Sequence, residues 1–188
     1  VGGSSLKIAR NLRKCVIKAH LVSDSRGVAA LEFALVAAPL FALILAVLET
    51  SLVFFAQQNL ETAGEMASRQ ILTGTAQNAG TTQAQFKTAA CAKLPTFLEC
   101  SKLIVDVQTA TSFATVDTTR PNATVNASTG AVTSSNNYAT VNPGDIVIFR
   151  LMYPWSNVMG PLGFDLSNIS GGKRLLVATS VFKAEPYQ

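Results

Sequence analysis

Residues able to carry acid–base, nucleophilic or metal chemistry are sparse along this chain. Histidine occurs once, as His20, so His-based metal clusters and Ser/His/Asp triads are unavailable. Cys15, Cys91 and Cys100 form no Cys-x-x-Cys pair, and neither a phosphate loop nor Gly-x-Gly-x-x-Gly appears. A glycosidase-like carboxylate pair would have to come from Glu99, Asp106, Asp117, Asp145 and Asp165, and nothing in their spacing suggests one. The sequence reads as a non-enzyme. No cofactor, metal or small-molecule substrate is expected.

Two other acids stand out by their surroundings. Glu32 interrupts the apolar stretch Val28 to Leu48, and Glu49 closes it. An ionised carboxylate near a bilayer centre costs roughly 2.5–3.5 kcal/mol on insertion scales, so such groups usually have a partner. Thr50 and Ser51 follow Glu49, which fits a headgroup-level site hydrated by water. Glu32 has two readings. It snorkels toward the cytoplasmic headgroups near Arg26, or it meets a donor on another helix.

The element that carries these acids is set by length and charge. Phe33 to Leu48 is sixteen apolar residues without interruption. Crossing about 30 Å of hydrocarbon takes about 20 mostly apolar residues, so Val28 to Ala56 is long enough to span a bilayer. Composition agrees: the chain is 48% hydrophobic and 14% charged. Formal net charge is +4, but Lys7, Arg10, Arg13, Lys14, Lys18 and Arg26 crowd residues 1–27 against Asp24 alone. A basic arm alone would suit nucleic acid. Beside an apolar span it orients the N-terminus to the cytoplasm instead, and no nucleic-acid partner is expected. The long core and the poor Phe54-Phe55-Ala56 cleavage signal favour a retained anchor over a cleaved secretory peptide.

The residues around Glu32 narrow the reading. Arg26-Gly27-Val28-Ala29-Ala30-Leu31-Glu32-Phe33 has a Gly ending a basic leader and a Glu five residues later. This resembles a type IV-like prepilin processing site of the tight-adherence pilus branch. Val28 to Gly74 is similar to the N-terminal segment of TadE-like proteins, including Gln57, Leu60, Ala63, Ala67 and Arg69 beyond the span. Met152-Tyr153-Pro154-Trp155 and the ending Lys183-Ala184-Glu185-Pro186-Tyr187 resemble a Tyr-Pro-aromatic segment and a terminal Glu-Pro-aromatic of that family. The resemblance implies cleavage between Gly27 and Val28, and a Glu32 that neutralises the new α-amine of a neighbouring subunit. It also implies a minor pilin-like component of pilus assembly in a bacterial inner membrane.

Along the span, Ala30, Ala34, Ala38, Ala42 and Ala46 recur every four residues. Such a ridge lets helix backbones approach closely in lipid, though alanine is also simply common there. Pro39 is expected to kink the helix. Beyond the membrane, Leu52, Ala56, Leu60, Ala63, Ala67 and Ile71 form one stripe, with Glu61, Glu65 and Arg69 on another face and Glu65 set to pair with Arg69. Unbroken to Thr73, the helix would run roughly 70 Å as a stalk. Gly74 is its expected stop.

The expected class is therefore α+β: a leader (1–27), a transmembrane and stalk helix (28–74), then a small antiparallel sheet domain (75–188). The spacing predicts a second helix over residues 82–93 and strands at Leu103–Val107, Asp145–Met152 and Arg174–Phe182. The Thr/Ser/Asn-rich stretch 110–142 is read as a hairpin around Ser128-Thr129-Gly130 or a loop. Its Asn-x-Thr/Ser triplets, and that at Asn168, are ascribed to composition. Cys91 and Cys100, nine apart on the translocated, periplasm-like side, are expected to bond, leaving Cys15 reduced. Two functions follow: a pilin-like subunit or assembly factor working through other membrane helices, or an accessory single-span subunit of another inner-membrane complex.

Overall fold

The computed structural model describes residues 27–117, 119–126, 129–134, 136–157 and 164–186. The basic leader up to Arg26, with Cys15 and His20, lies outside the described residues, as do Ser128 and Tyr187.

Helix α1 spans Val28–Leu72, 45 residues, and runs through Pro39. Contacts divide the chain inside this helix, with Val1–Leu45 in one compact unit and Ala46–Gln188 in the other. In the first unit the helix buries almost nothing: Leu31, Phe33, Leu35, Val36, Leu40, Phe41, Leu43 and Leu45 are all exposed. The chain's long apolar stretch is continuous in α1 and is left uncovered by the described residues. That fits a single-pass membrane protein.

In the second unit α1 becomes a packing element. Its buried stripe is Val53, Ala56, Leu60, Ala63, Gly64, Ala67, Ser68 and Ile71. Leu52, expected on that stripe, is 57% exposed, and Val53 takes its place. The 3.6-residue period allows either as the first member, and contact with the sheet selects Val53. Gly64 marks the closest approach: a Cβ there would sit 3.1 Å from the Cβ of Ala178. Glu65 and Arg69 do not pair; among the described residues the ion pairs are Lys102–Glu99 and Arg150–Asp106. The helix ends where Gly74 takes a left-handed φ of 72°. Glu185 then donates its N–H to the Leu72 carbonyl at 2.9 Å, satisfying one of the last acceptors.

Two shorter helices follow, α2 (Thr75–Asn78) and α3 (Gln83–Cys91). Thr82 and Gln85 form a capping box at the start of α3. Phe86 of α3 is fully buried and meets Phe149 edge to face at 5.8 Å.

The sheet has three antiparallel strands in the order β1 (Ile104–Ala110), β4 (Ile146–Ser156), β5 (Lys173–Lys183). A separate two-stranded hairpin, β2 (Ala123–Val125) and β3 (Val132–Ser134), occupies the Thr/Ser/Asn-rich stretch. Alternation sorts the sheet residues into two faces. Val105, Val107, Val147, Phe149, Leu151, Tyr153, Leu176 and Ala178 form one core with α1 and α3. Ile146, Ile148, Met152 and Leu175 are buried on the opposite face. The hairpin stretch covers that face, with Ser134 Oγ contacting Met152 Sδ at 3.5 Å and Lys173 Nζ donating to the Gly130 carbonyl. The class is α+β, a long apolar helix followed by small antiparallel sheets.

Candidate functional site

The five carboxylates that sequence offered for chemistry are each occupied locally. Glu99 pairs with Lys102 at 2.7 Å, and that hydrogen bond raises the lysine pKa. Asp117 accepts from the hydroxyl and N–H of Thr119, which hold its carboxyl below the usual range. Asp165 is lowered in the same way by the Ser167 N–H and hydroxyl. Asp145 accepts from Asn142 in a turn. Asp106 is fully buried and faces Arg150 at 3.8 Å. A cavity of 610 Å³ is lined in part by Gln83, Lys87, Lys102, Asn136 and Lys173. Its lysines are also engaged, Lys87 with the Ser101 carbonyl and Lys173 with that of Gly130. These groups hold the fold. No nucleophile with an adjacent base emerges among them.

The residues singled out on α1 lie apart from that network. Gly27 precedes the helix, is exposed, and has nothing within 4 Å of where a Cβ would be. Val28 opens the helix and Glu32 sits one turn further, exposed on an apolar surface. Four residues bring Glu32 about 6 Å along the axis and back to nearly the same face as Val28. Ala30, Ala34 and Ala38 are exposed, while Ala42 and Ala46 are half-buried. The backbone puts these alanines on one slowly rotating ridge, and Glu32 is exposed among the described residues. A carboxylate exposed among Leu31, Phe33, Leu35 and Val36 is costly in lipid unless a donor or interfacial water meets it.

Glu49 is different. It shares the i, i+4, i+7 stripe with Val53 and Ala56, and its Oε1 is buried without a hydrogen-bond partner. A headgroup-level position was expected for it, and its side chain is half-buried there.

Cys91 and Cys100 are joined by a disulfide with Cα atoms 5.4 Å apart. The bond closes the loop after α3. Inside it, Leu98 is buried and the Glu99 N–H donates to the Tyr153 hydroxyl at 3.1 Å. Phe97 points outward, stacking on Phe55 at 5.5 Å and meeting Trp155 edge-on at 6.4 Å.

Sequence reasoning missed two arrangements. One is the Asp106–Arg150 pair, signalled by a lone acid in Ile104–Val107 and a lone base in Ile146–Met152. The other is the ring cluster of Phe55, Phe97 and Trp155, whose members lie far apart in sequence and gave no local signal.

Comparison with curated proteins and with solved structures gives no match. The family model described as TadE-like protein matches residues 27–69, from the glycine before α1 to the arginine in its last turn. The matched residues include both the exposed apolar turns that bear Glu32 and most of the stripe that packs on the sheet.

Proposed function

We propose that the protein is a minor pilin-like subunit or assembly factor of a tight-adherence, type IV-like pilus system. The observation that carries this reading is where the family match falls. It covers the turns of α1 whose apolar side chains are exposed among the described residues, and it begins at Gly27. In this role α1 spans the bacterial inner membrane with the basic leader in the cytoplasm and the sheet-bearing unit in the periplasm. The work is assembly, by helix–helix association, and not catalysis.

The mechanism follows from low dielectric. Cleavage after Gly27 leaves Val28 with a free, cationic α-amine. Glu32 on a neighbouring helix neutralises that amine, so two charges that are each costly in lipid become one satisfied pair. The alanine ridge from Ala30 to Ala46 lets the backbones close to packing distance while the pair forms.

Glu32→Ala and Glu32→Gln test this directly. Removing the carboxylate makes membrane insertion easier, so both variants should accumulate normally. Both should co-purify poorly with the membrane partners of the parent, Ala at least as poorly as Gln. Glu32→Ala assembling as well as the parent would leave Glu32 a snorkelling residue and remove the mechanism. Mass spectrometry of the native N-terminus is the companion measurement, with a chain beginning at Val28 as the expected result.

A further inference from the structure

We propose that Phe54, Phe55, Phe97 and Trp155 form an aromatic foot that seats the sheet-bearing unit in the lipid interface of the bilayer crossed by its own helix. The proposal rests on the reading of α1 as a membrane span.

Length is the first argument. Val28 to Leu48 covers about 31 Å at 1.5 Å per residue, enough for the roughly 30 Å of a hydrocarbon core. The exposed apolar surface does not stop there. Leu52, Phe54 and Phe55 are 57%, 70% and 58% exposed. Carried from Val28 to Phe55, the length is about 42 Å, close to the roughly 40–45 Å of a bilayer with its interfacial regions. The hydrocarbon then ends near Leu48, and the two phenylalanines fall in the interfacial layer beyond it.

Glu49 supplies the second argument. It lies within that extended length, where lipid would be a poor neighbour for a carboxylate. Its Oε1 is buried, on the same stripe as Val53 and Ala56. One residue on from Glu49, Thr50 lines a 170 Å³ cavity together with Val53, Phe54, Leu166, Arg174 and Leu176. The sheet-bearing unit therefore packs along its own stretch of α1 to about this level, which is its underside.

The underside has the composition of an interface. Phe97 is 42% exposed although its loop is tightly held by the disulfide, by buried Leu98 and by the Glu99–Tyr153 hydrogen bond. A held phenylalanine aimed outward is placed, not frayed. Its ring continues the lipid-facing surface of Phe55, and half-buried Trp155 closes the group. Arg174, the register partner of Trp155, puts a cation at the same end of the sheet. Rings at the level where a span leaves the hydrocarbon, with a cation beside them, suit the headgroup boundary. The same rings buried by another subunit is the competing occupant.

Trp155 is the chain's one tryptophan, so fluorescence can report the depth. The full chain is reconstituted in phosphatidylcholine–phosphatidylglycerol vesicles whose acyl chains carry bromine near the headgroup end or near the middle of the bilayer. Three single-tryptophan proteins are compared: the parent, Phe97→Trp with Trp155→Phe, and Leu40→Trp with Trp155→Phe. Position 97 should lose most of its emission to the shallow bromines and less to the deep ones, while position 40 shows the reverse order. Should Phe97→Trp fail to fold, Trp155 in the parent must show the shallow pattern. Quenching at position 40 with none at positions 97 and 155 would overturn the foot and leave the span intact, with water or a protein partner as the occupant. No quenching at position 40 would overturn the span, and the foot with it.

Discussion

Asp106 and Arg150 face each other across β1 and β4, 0% and 4% exposed. Asp106 also accepts from the Asn137 N–H and from Gln108, while Arg150 donates to the carbonyls of Asp117 and Thr119. The pair thus pins Asp117, Thr119 and Asn137 over the sheet. Breaking it from one side leaves a buried charge, which costs about 3–5 kcal/mol. Asp106→Ala should therefore lower the unfolding free energy by about that much, and Asp106→Leu with Arg150→Met should recover much of it. Denaturant titration of the two variants beside the parent checks this, and equal losses for both would sink it. Asp117 and Asp165 act at the surface, and their pKa values are depressed. A depressed carboxyl contributes stability above its unfolded pKa of about 3.9, lost as pH falls through the folded value. Replacing both by Asn should cost a little stability at neutral pH and nothing once both carboxyls are protonated, read from thermal unfolding across acid pH. At this scale the acids of α1 were legible because a charge in an apolar run is conspicuous. Asp106 and Arg150 each stood alone in a predicted strand, and their partnership depended on a register that sequence does not print.

Among the elements, α1 and the three strands were legible from apolar periodicity, and their ends were not. Leu103–Val107 proved to be Ile104–Ala110, and Asp145–Met152 proved to be Ile146–Ser156. Pro154 argued against the longer β4, since proline lacks the N–H a central strand needs. Pairing with β1 stops at Met152, so at Pro154 only the β5 side needs bonds. The helix–sheet contact turns on Gly64, whose glycine costs a helix about 1 kcal/mol relative to alanine. Gly64→Ala should be close to neutral, the propensity gain offsetting the squeeze on Ala178. Gly64→Val adds two further methyls and should destabilise by about 1–3 kcal/mol. Urea unfolding distinguishes them, and a neutral valine would mean α1 does not pack as closely as Ala178 requires. The closed loop of Cys91 and Cys100 belongs here as well. In the chain-entropy model a ten-residue loop is worth about 2.5–3 kcal/mol. Cys91→Ser with Cys100→Ser should lower stability by that order, and the same unfolding curves test it.

For the molecule as a whole, the proposed topology, with the leader in the cytoplasm and the distal domain across the membrane, gives a direct expectation. A reporter active only in the periplasm should work when fused to the C-terminus, and one active only in the cytoplasm should not. The reverse pattern would invert the topology. Alkylation of the unfolded, unreduced chain should then label one of its three cysteines. Labelling of all three would show that the loop is open in the cell. Strand order carries a consequence in time. Ala110 of β1 pairs with Ile146 of β4, some three dozen residues later, and β5 comes later still. At about 5–20 residues per second, β1 leaves the ribosome roughly 2–7 s before the start of its neighbour. During that interval both edges of the strand are bare, and the stripe from Val53 to Ile71 has no sheet to cover it. A nascent chain stalled anywhere between Ala110 and Ile146 therefore presents a sticky ribbon beside an uncovered helix, a natural ligand for a chaperone and a natural seed for aggregation.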